Sequence, residues 1–363
     1  MRTVAAAPVL REYEAALAAS DRARVVALVQ QLLDDDVAPV TVLTDVVAAA
    51  QRAIGRRWQS GEWTVAQEHA ATAMSMAATE VVTQRAADVP VTRGHVLVTC
   101  AEREWHWLPA AIIGCVLRGA GWRVTPLGPA TAPLRLSQYI QDVGPEAVAV
   151  SCSVLGALPT TRRFIEASTS AGVPVVVDGP AFGTDTIRAQ ALGATAWAPD
   201  AAGALTAMDT LPVVVSAVPP LPQAPAQEQR ALELAHADLI DRVVRRWSIT
   251  GGAAGDPAQT ALRAVARDAV PQTLHAVAAA LLTGDVRPVS ETAQWMGDLL
   301  AHREVDSEVA VRELASVLGA VLVDYPLSAD LVAEHFRPAP QCPDNVVEFA
   351  ERTETASRRK VPR

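Results

Sequence analysis

Apolar residues recur at helical spacing from residue 8 to about 88, and the pattern is punctuated at Ser20-Asp21, Val37-Ala38-Pro39 and Gly61-Glu62. Three interruptions predict four helices, and four short helices with one apolar face each pack most economically as a bundle. Near Val89-Pro90 the period changes. The Val-rich runs HVLVTC, WRVTPLG, EAVAVSCS, PVVVDG and TAWAP then alternate with helical stretches, which predicts a parallel, doubly wound sheet. A Pro- and Ala-rich run, LPVVVSAVPPLPQAPAQEQ, carries neither period and reads as a linker. Helical spacing returns from Arg230 to Phe336 without a credible strand, broken at Gly251-Gly252, Gly284-Asp285 and Tyr325-Pro326. The expected divisions are a four-helix bundle over 1–90, a Rossmann-like α/β domain over 91–212, a linker over 213–229, an all-helical domain over 230–337 and a tail over 338–363 with one short helix.

Composition narrows the function classes. A net charge of −9 without a concentrated Lys/Arg stripe argues against a nucleic-acid surface, which would have to neutralise phosphates. The beginning of the chain lacks the apolar run of a secretory signal, and no apolar stretch is long enough to span a bilayer, so a cytoplasmic location is expected. Four dispersed cysteines contain no CxxC pair, which indicates neither a zinc site nor a disulfide framework. Cys100, Cys115 and Cys152 read as core thiols.

In a doubly wound sheet, ligands sit beyond the carboxyl ends of the strands. The first such end here reads AEREWHWLP and carries Glu104 and His106 two residues apart, with no GxGxxG turn for a pyrophosphate. The third strand ends Ser151-Cys152-Ser153-Val154, and the fourth ends Asp178-Gly179-Pro180. A carboxylate beside an imidazole is the arrangement that orients a metal-bound histidine. A surface histidine packed beside two tryptophans is the plainer alternative, and the position at a strand end favours a ligand.

Glu104-x-His106-x-x-Pro109, Ser151-x-Ser153 and Asp178-Gly179, with LGPATAP at 127–133, resemble the D-x-H-x-x-G, S-x-L/V/T and G-G pattern of the cobalamin-binding domain of corrinoid proteins. The similarity spans roughly residues 93–211. It implies that His106 displaces dimethylbenzimidazole as the lower axial ligand of cobalt, and that the nucleotide tail threads into the sheet past Ser151, Ser153, Val154 and Gly179. Departures from the pattern include Glu104 for Asp, Pro109 for Gly and Asp178 for Gly. The longer carboxylate arm is expected to make its bond to His106 differently, and Pro109 suits a first helical turn.

Within the bundle, Trp58 followed by Glu68-His69 has the Trp-x9-Glu-His spacing of the cap of light-dependent cobalamin repressors, which bind adenosylcobalamin and lose its adenosyl group on illumination. That resemblance implies that Trp58 stacks over the adenosyl group and that Glu68 and His69 bond its polar edge. The alternative is a core tryptophan and an exposed Glu-His pair. Where the repressors have a second axial histidine after the Trp, this chain has Gln59. They also carry an N-terminal helix-turn-helix domain, whereas this chain begins with the bundle, so direct DNA binding is not expected.

The order of cap, cobalamin domain and C-terminal helical domain resembles the photocobilins, photoreceptors pairing cobalamin with biliverdin in a globin-like helical domain. By that resemblance His275, His302 and Arg303 are candidate bilin contacts, arginines meeting the propionates and histidines the pyrrole nitrogens. Cys342 is more readily a free thiol than a thioether partner. The implied function is light sensing, not enzymatic catalysis, with signalling by a homo-oligomer whose association changes in light, or through a separate effector. The alternatives are a corrinoid methyl carrier serving a methyltransferase, a scaffold with a decayed site, and, for the helical domain, a dimerisation or signalling bundle.

Overall fold

The computed structural model describes residues 6–102, 104–247, 257–303 and 305–337. The first unit is built from α1 (Ala6–Ala18), α2 (Arg22–Asp34), α3 (Pro39–Thr41), α4 (Ala48–Gln59) and α5 (Val65–Ala87). Helices α3 and α4 are joined without a break by a π-helical stretch, Val42–Val47, so four helical rods form the bundle. Asp21 caps α2 by accepting from Arg24 N, and Thr64 and Gln67 form a reciprocal capping box on α5. The sharp reversal between α4 and α5 uses Gly61 at φ +78°, a conformation glycine adopts without strain.

Five strands follow: β1 (His95–Ala101), β2 (Arg123–Thr131), β3 (Ala147–Ser151), β4 (Val175–Asp178) and β5 (Ala196–Ala198). They are parallel in the order β2-β1-β3-β4-β5. Their crossovers are α6 (Trp107–Gly119), α7 (Pro133–Val143), α8 (Leu158–Ser170) and α9 (Ile187–Ala191), and α10 (Ala201–Asp209) follows β5. The strand order reverses direction at β1/β3, and this switch point is where an open α/β sheet leaves a crevice. β1, β3 and β4 are buried on both faces, which explains their continuous Val-rich runs. The core beneath one face is continuous with the bundle, joining Val46, Ala71 and Met74 to Ile112, Ile113 and Val98.

The C-terminal unit comprises α11 (Gln223–Arg246), α12 (Pro257–Thr283), α13 (Arg287–Ala301), α14 (Ser307–Val321) and α15 (Pro326–His335), around Leu239, Val277, Met296, Leu314 and Phe336. Ala279 and Leu282 of α12 enter the core on the second face of the sheet. The segment before α11 is less free than its composition predicts. Val215 N donates to Gly172 O, and the Arg162 guanidinium donates to Pro219 O, strapping it to the sheet domain. Helix α11 already begins at Gln223, inside the expected linker, because Pro225 falls in the first turn, where a missing N–H costs nothing. The Gly251-Gly252 break and the tail, with its short helix and Cys342, lie outside the described residues. Among the described residues, no helix is long and apolar enough to cross a membrane.

Candidate functional site

His106 is the N-cap of α6, at the carboxyl edge of β1, with its side chain 55% exposed toward a cavity. Glu104 beside it is fully buried. The longer Glu arm folds back, so that Oε1 accepts from both His106 Nδ1 (2.5 Å) and His106 N (2.9 Å). Oε2 accepts from Ser153 N (2.6 Å) and Val154 N (3.1 Å), across the β1/β3 switch point. One carboxylate thus fixes the imidazole to the loop after β3. Burial would raise the Glu104 carboxyl, but the His106 and Ser153 bonds outweigh it and hold the group below the usual carboxylate range. The same bond raises His106, against its own desolvation. With Nδ1–H committed to Glu104, Nε2 keeps the lone pair a metal ligand needs.

The neighbouring strand ends supply the rest of the floor. Gly179 has φ +106°, and a Cβ there would lie 2.2 Å from Cys152 O, so no larger residue fits. Ser151 and Asp178 face each other in register on β3 and β4. Ser151 Oγ, Asp178 Oδ1 and Trp197 Nε1 are buried without a hydrogen-bond partner among the described residues. Cys100, Cys115 and Cys152 are buried free thiols, each pushed up by burial.

The roof comes from the bundle. A partly open cavity of about 810 Å³ lies between the two units; Trp58, Glu68 and His69 line it on one side and His106, Ser153 and Gly179 on the other. Thr44 and Asp45, in the π-helical stretch, also line it, consistent with the tendency of π segments to mark functional sites. Gln51 Nε2 donates to Thr72 Oγ1 (2.6 Å), which donates to Glu68 Oε1 (3.0 Å), while Gln51 Oε1 is buried with no partner among the described residues. His69 is mostly exposed and lies 3.4 Å from Glu68. Trp63, between Trp58 and Glu68 in the sequence, is a core anchor under the Arg57 guanidinium. Sequence reasoning missed Trp197, Gln51 and Thr72. Trp197 stood at a strand end and was open to the same argument as Asp178, whereas nothing local marked Gln51 or Thr72.

The three C-terminal candidates fall in different surroundings. His275 stacks on His236 at 4.5 Å and packs against Gly156. His302 ends α13, its Nδ1 on Asp298 O, while Arg303 donates to Leu299 O and to Gln59 O of the bundle. A groove of about 560 Å³ in this unit is lined instead by Arg312, Arg337, Ala315, Val332 and Phe336 among others. Trp295 of α13 stacks on Trp58.

A carboxylate-oriented imidazole at the switch point of a doubly wound sheet, under a helical cap, is an arrangement that can hold a metal-centred cofactor. Residues 9–83 match the family model B12-binding_2, a B12 binding domain, and residues 94–208 match the B12-binding model, also a B12 binding domain. The chain therefore carries two B12-binding domains. Among solved structures, the Methanosarcina barkeri monomethylamine corrinoid protein is similar over 57% of this chain and 100% of its own, with 18% identity and a TM-score of 0.50. A cobalamin-binding protein from Desulfitobacterium hafniense DCB-2 (19% identity, 55% of this chain and 97% of that one, TM-score 0.31) also matches. So does the methanol:cobalamin methyltransferase complex MtaBC from Methanosarcina barkeri (17%, 57% and 82%, 0.31). No curated protein matches the chain.

Proposed function

We propose that this protein is a light sensor that binds adenosylcobalamin between bundle and sheet. The observation that carries the reading is the roof: an indole beside the polar chain Gln51-Thr72-Glu68, with an unsatisfied Gln51 acceptor. An adenosyl group offers a flat ring, hydroxyls and an amine to such a surface, whereas a methyl group needs only apolar contact. The floor fits a corrin: His106 holds Nε2 for cobalt, Glu104 fixes its ring, and the strand ends at Ser151, Ser153, Val154 and Gly179 receive a polar tail. Bound adenosylcobalamin supplies a cobalt–carbon bond that visible light cleaves. The chain's own residues orient the upper ligand through Trp58, Glu68 and His69, and the cap excludes water from it.

In the same reading the C-terminal unit holds a bilin such as biliverdin. The groove in which Arg337 and Arg312, the latter also paired with Glu308, lie beside apolar residues offers partners for two propionates, alongside the candidate contacts His275, His302 and Arg303. Output is a light-dependent change in self-association or in docking of a separate effector, from a protein that is not itself an enzyme and works in the cytoplasm. The likeness to a monomethylamine corrinoid protein supports a second reading, a methyl carrier of a methyltransferase system.

Absorption spectra of the full chain with adenosylcobalamin and biliverdin, before and after green light, decide between them. Retained adenosylcobalamin that photolyses supports the sensor. Methylcobalamin held in preference to a rejected adenosyl form establishes the carrier, and absence of a shifted red band removes the bilin.

A further inference from the structure

Asp178 closes β4 and lines the cavity next to Gly179, only 8% exposed. Its Oδ1 is buried with no hydrogen-bond partner among the described residues, and the same holds for Ser151 Oγ beside it. A buried acid is normally paired with a cation or fully hydrogen-bonded. The charge that bears on Asp178 is that of Asp200 ahead of α10; Asp45, Arg52, Glu68, His69 and His106 line the same cavity, and Glu104 with the thiols of Cys100 and Cys152 lies in the floor behind it. Among the described residues no cation is paired with Asp178. Burial pushes the carboxyl up to about 7, and the Asp200 charge adds to the rise; the Ser151 hydroxyl nearby offsets part of it, although its position falls short of hydrogen-bond geometry. Of these two unsatisfied strand-end groups, Asp178 belongs to the wall of the cavity, where a buried acid without a partner awaits a ligand's polar atom.

We propose that Asp178 is a hydrogen-bonding ligand of the cobalamin nucleotide tail and selects corrinoids that carry one. The inference rests on the reading that this cavity takes cobalamin with its tail lowered into the sheet. The tail's phosphodiester is anionic throughout the accessible pH range. A carboxylic acid can donate to it or to the adjoining ribose; a carboxylate in the same buried wall would repel it. Tail binding and deprotonation of Asp178 therefore exclude one another, and the dependence belongs to this chain because glycine stands here in the pattern it resembles.

The test measures affinity of the full chain for hydroxocobalamin and for aquocobinamide, which lacks the nucleotide tail, from pH 5.5 to 8.5. It compares the natural protein with Asp178→Asn and Asp178→Gly. Titration of His106 is common to all three proteins and cancels in their ratio. If only the protonated acid admits the tail, affinity of the natural protein for hydroxocobalamin falls roughly tenfold, relative to Asp178→Asn, one pH unit above the carboxyl's midpoint. Cobinamide shows no such divergence. At pH 8 the natural protein also takes up about one more proton per cobalamin bound than Asp178→Asn, read by calorimetry in two buffers. Parallel pH profiles with cobalamin, or equal divergence with cobinamide, overturn the role of Asp178 while leaving cobalamin binding intact. If no protein binds hydroxocobalamin at any pH, the reading of the cavity falls and takes this inference with it.

Discussion

Trp58 of the bundle stacks on Trp295 of the C-terminal unit, ring centroids 6.2 Å apart and planes 23° from parallel. Trp58 also lines the cavity opposite His106, so one indole touches both the upper-ligand space and the helical unit. Arg303 adds a bond to the Gln59 carbonyl one residue further on. Trp295→Ala should therefore loosen Trp58 without altering the floor. The expected result is a severalfold loss of preference for adenosylcobalamin over hydroxocobalamin, about what an aromatic pair of ~1 kcal/mol supports, with Trp295→Phe retaining most of it. Unchanged preference in competitive binding would show that the stack is only packing.

His106→Ala should abolish imidazole ligation of cobalt. The absorption spectrum of the bound cobalamin, which separates histidine-ligated from other lower-face states, is the measurement. An unaltered spectrum and affinity would remove His106 from the site. Glu104→Ala should do more damage to the apoprotein, because it strands the Ser153 and Val154 amides as well as the imidazole. A loss of about 3 kcal/mol in denaturant unfolding is expected.

Trp58→Ala and Glu68→Ala should weaken selection for the adenosyl form by up to about tenfold, the scale of one aromatic contact, and leave hydroxocobalamin affinity largely intact. These side chains face the roof, while His106 and the strand ends supply the remaining affinity. Equal losses for both cobalamins, measured by equilibrium titration, would mean that they merely hold the bundle together.

Glu104 and His106 stand two residues apart at the end of an apolar run, whereas Trp58, Glu68 and His69 are singled out by their resemblance to a cobalamin cap; the fold brings Trp58, Glu68, His69 and His106 to one cavity. The change from helical to strand period near Pro90 marked where the sheet domain starts. What spacing could not carry is contact between distant segments. Trp295 gives no sign in its own helix that its face meets Trp58, and Arg188 gives none that it meets Asp285. The early start of α11 was hidden because proline in a first helical turn looks, by composition, like linker. The π-helical stretch Val42–Val47 was hidden because its residue types are those of any buried helix.

Gly179→Ala should fail at the floor. The added Cβ would meet the Cys152 carbonyl at 2.2 Å and the residue would keep a positive φ, so β4 must shift against β3. The expected cost is about 1–3 kcal/mol in unfolding free energy together with loss of cobalamin binding. Full retention of both would show that the strand ends rearrange freely.

The last prediction concerns how the C-terminal unit is held. Arg188 of α9, 1% exposed, pairs with buried Asp285 (2.8 Å) and with Glu291 (2.7 Å), while Arg287 bonds both Asp285 and Asp185. Burial alone would raise Asp285, but the Arg287 and Arg188 bonds prevail and its carboxyl lies below the ordinary range. Asp185 is pushed down to about 2, chiefly by the bond to Arg287. A carboxyl depressed in the folded state stabilises fully above its unfolded pKa, and that contribution is lost as pH falls through the folded value. The clamp should thus be constant at neutral pH and fade only below about pH 4, the usual unfolded aspartate value. Arg188→Met at pH 7 should mimic acid by leaving Asp285 buried with one partner fewer, at a cost of about 3 kcal/mol. Limited proteolysis between the sheet and helical units, followed from pH 7 to 3, reads the effect directly. The variant should be cleaved readily at neutral pH, and the natural protein only in acid. Equal resistance of both at pH 7 would show that the apolar contact of Ala279 and Leu282 with the sheet face suffices to hold the unit.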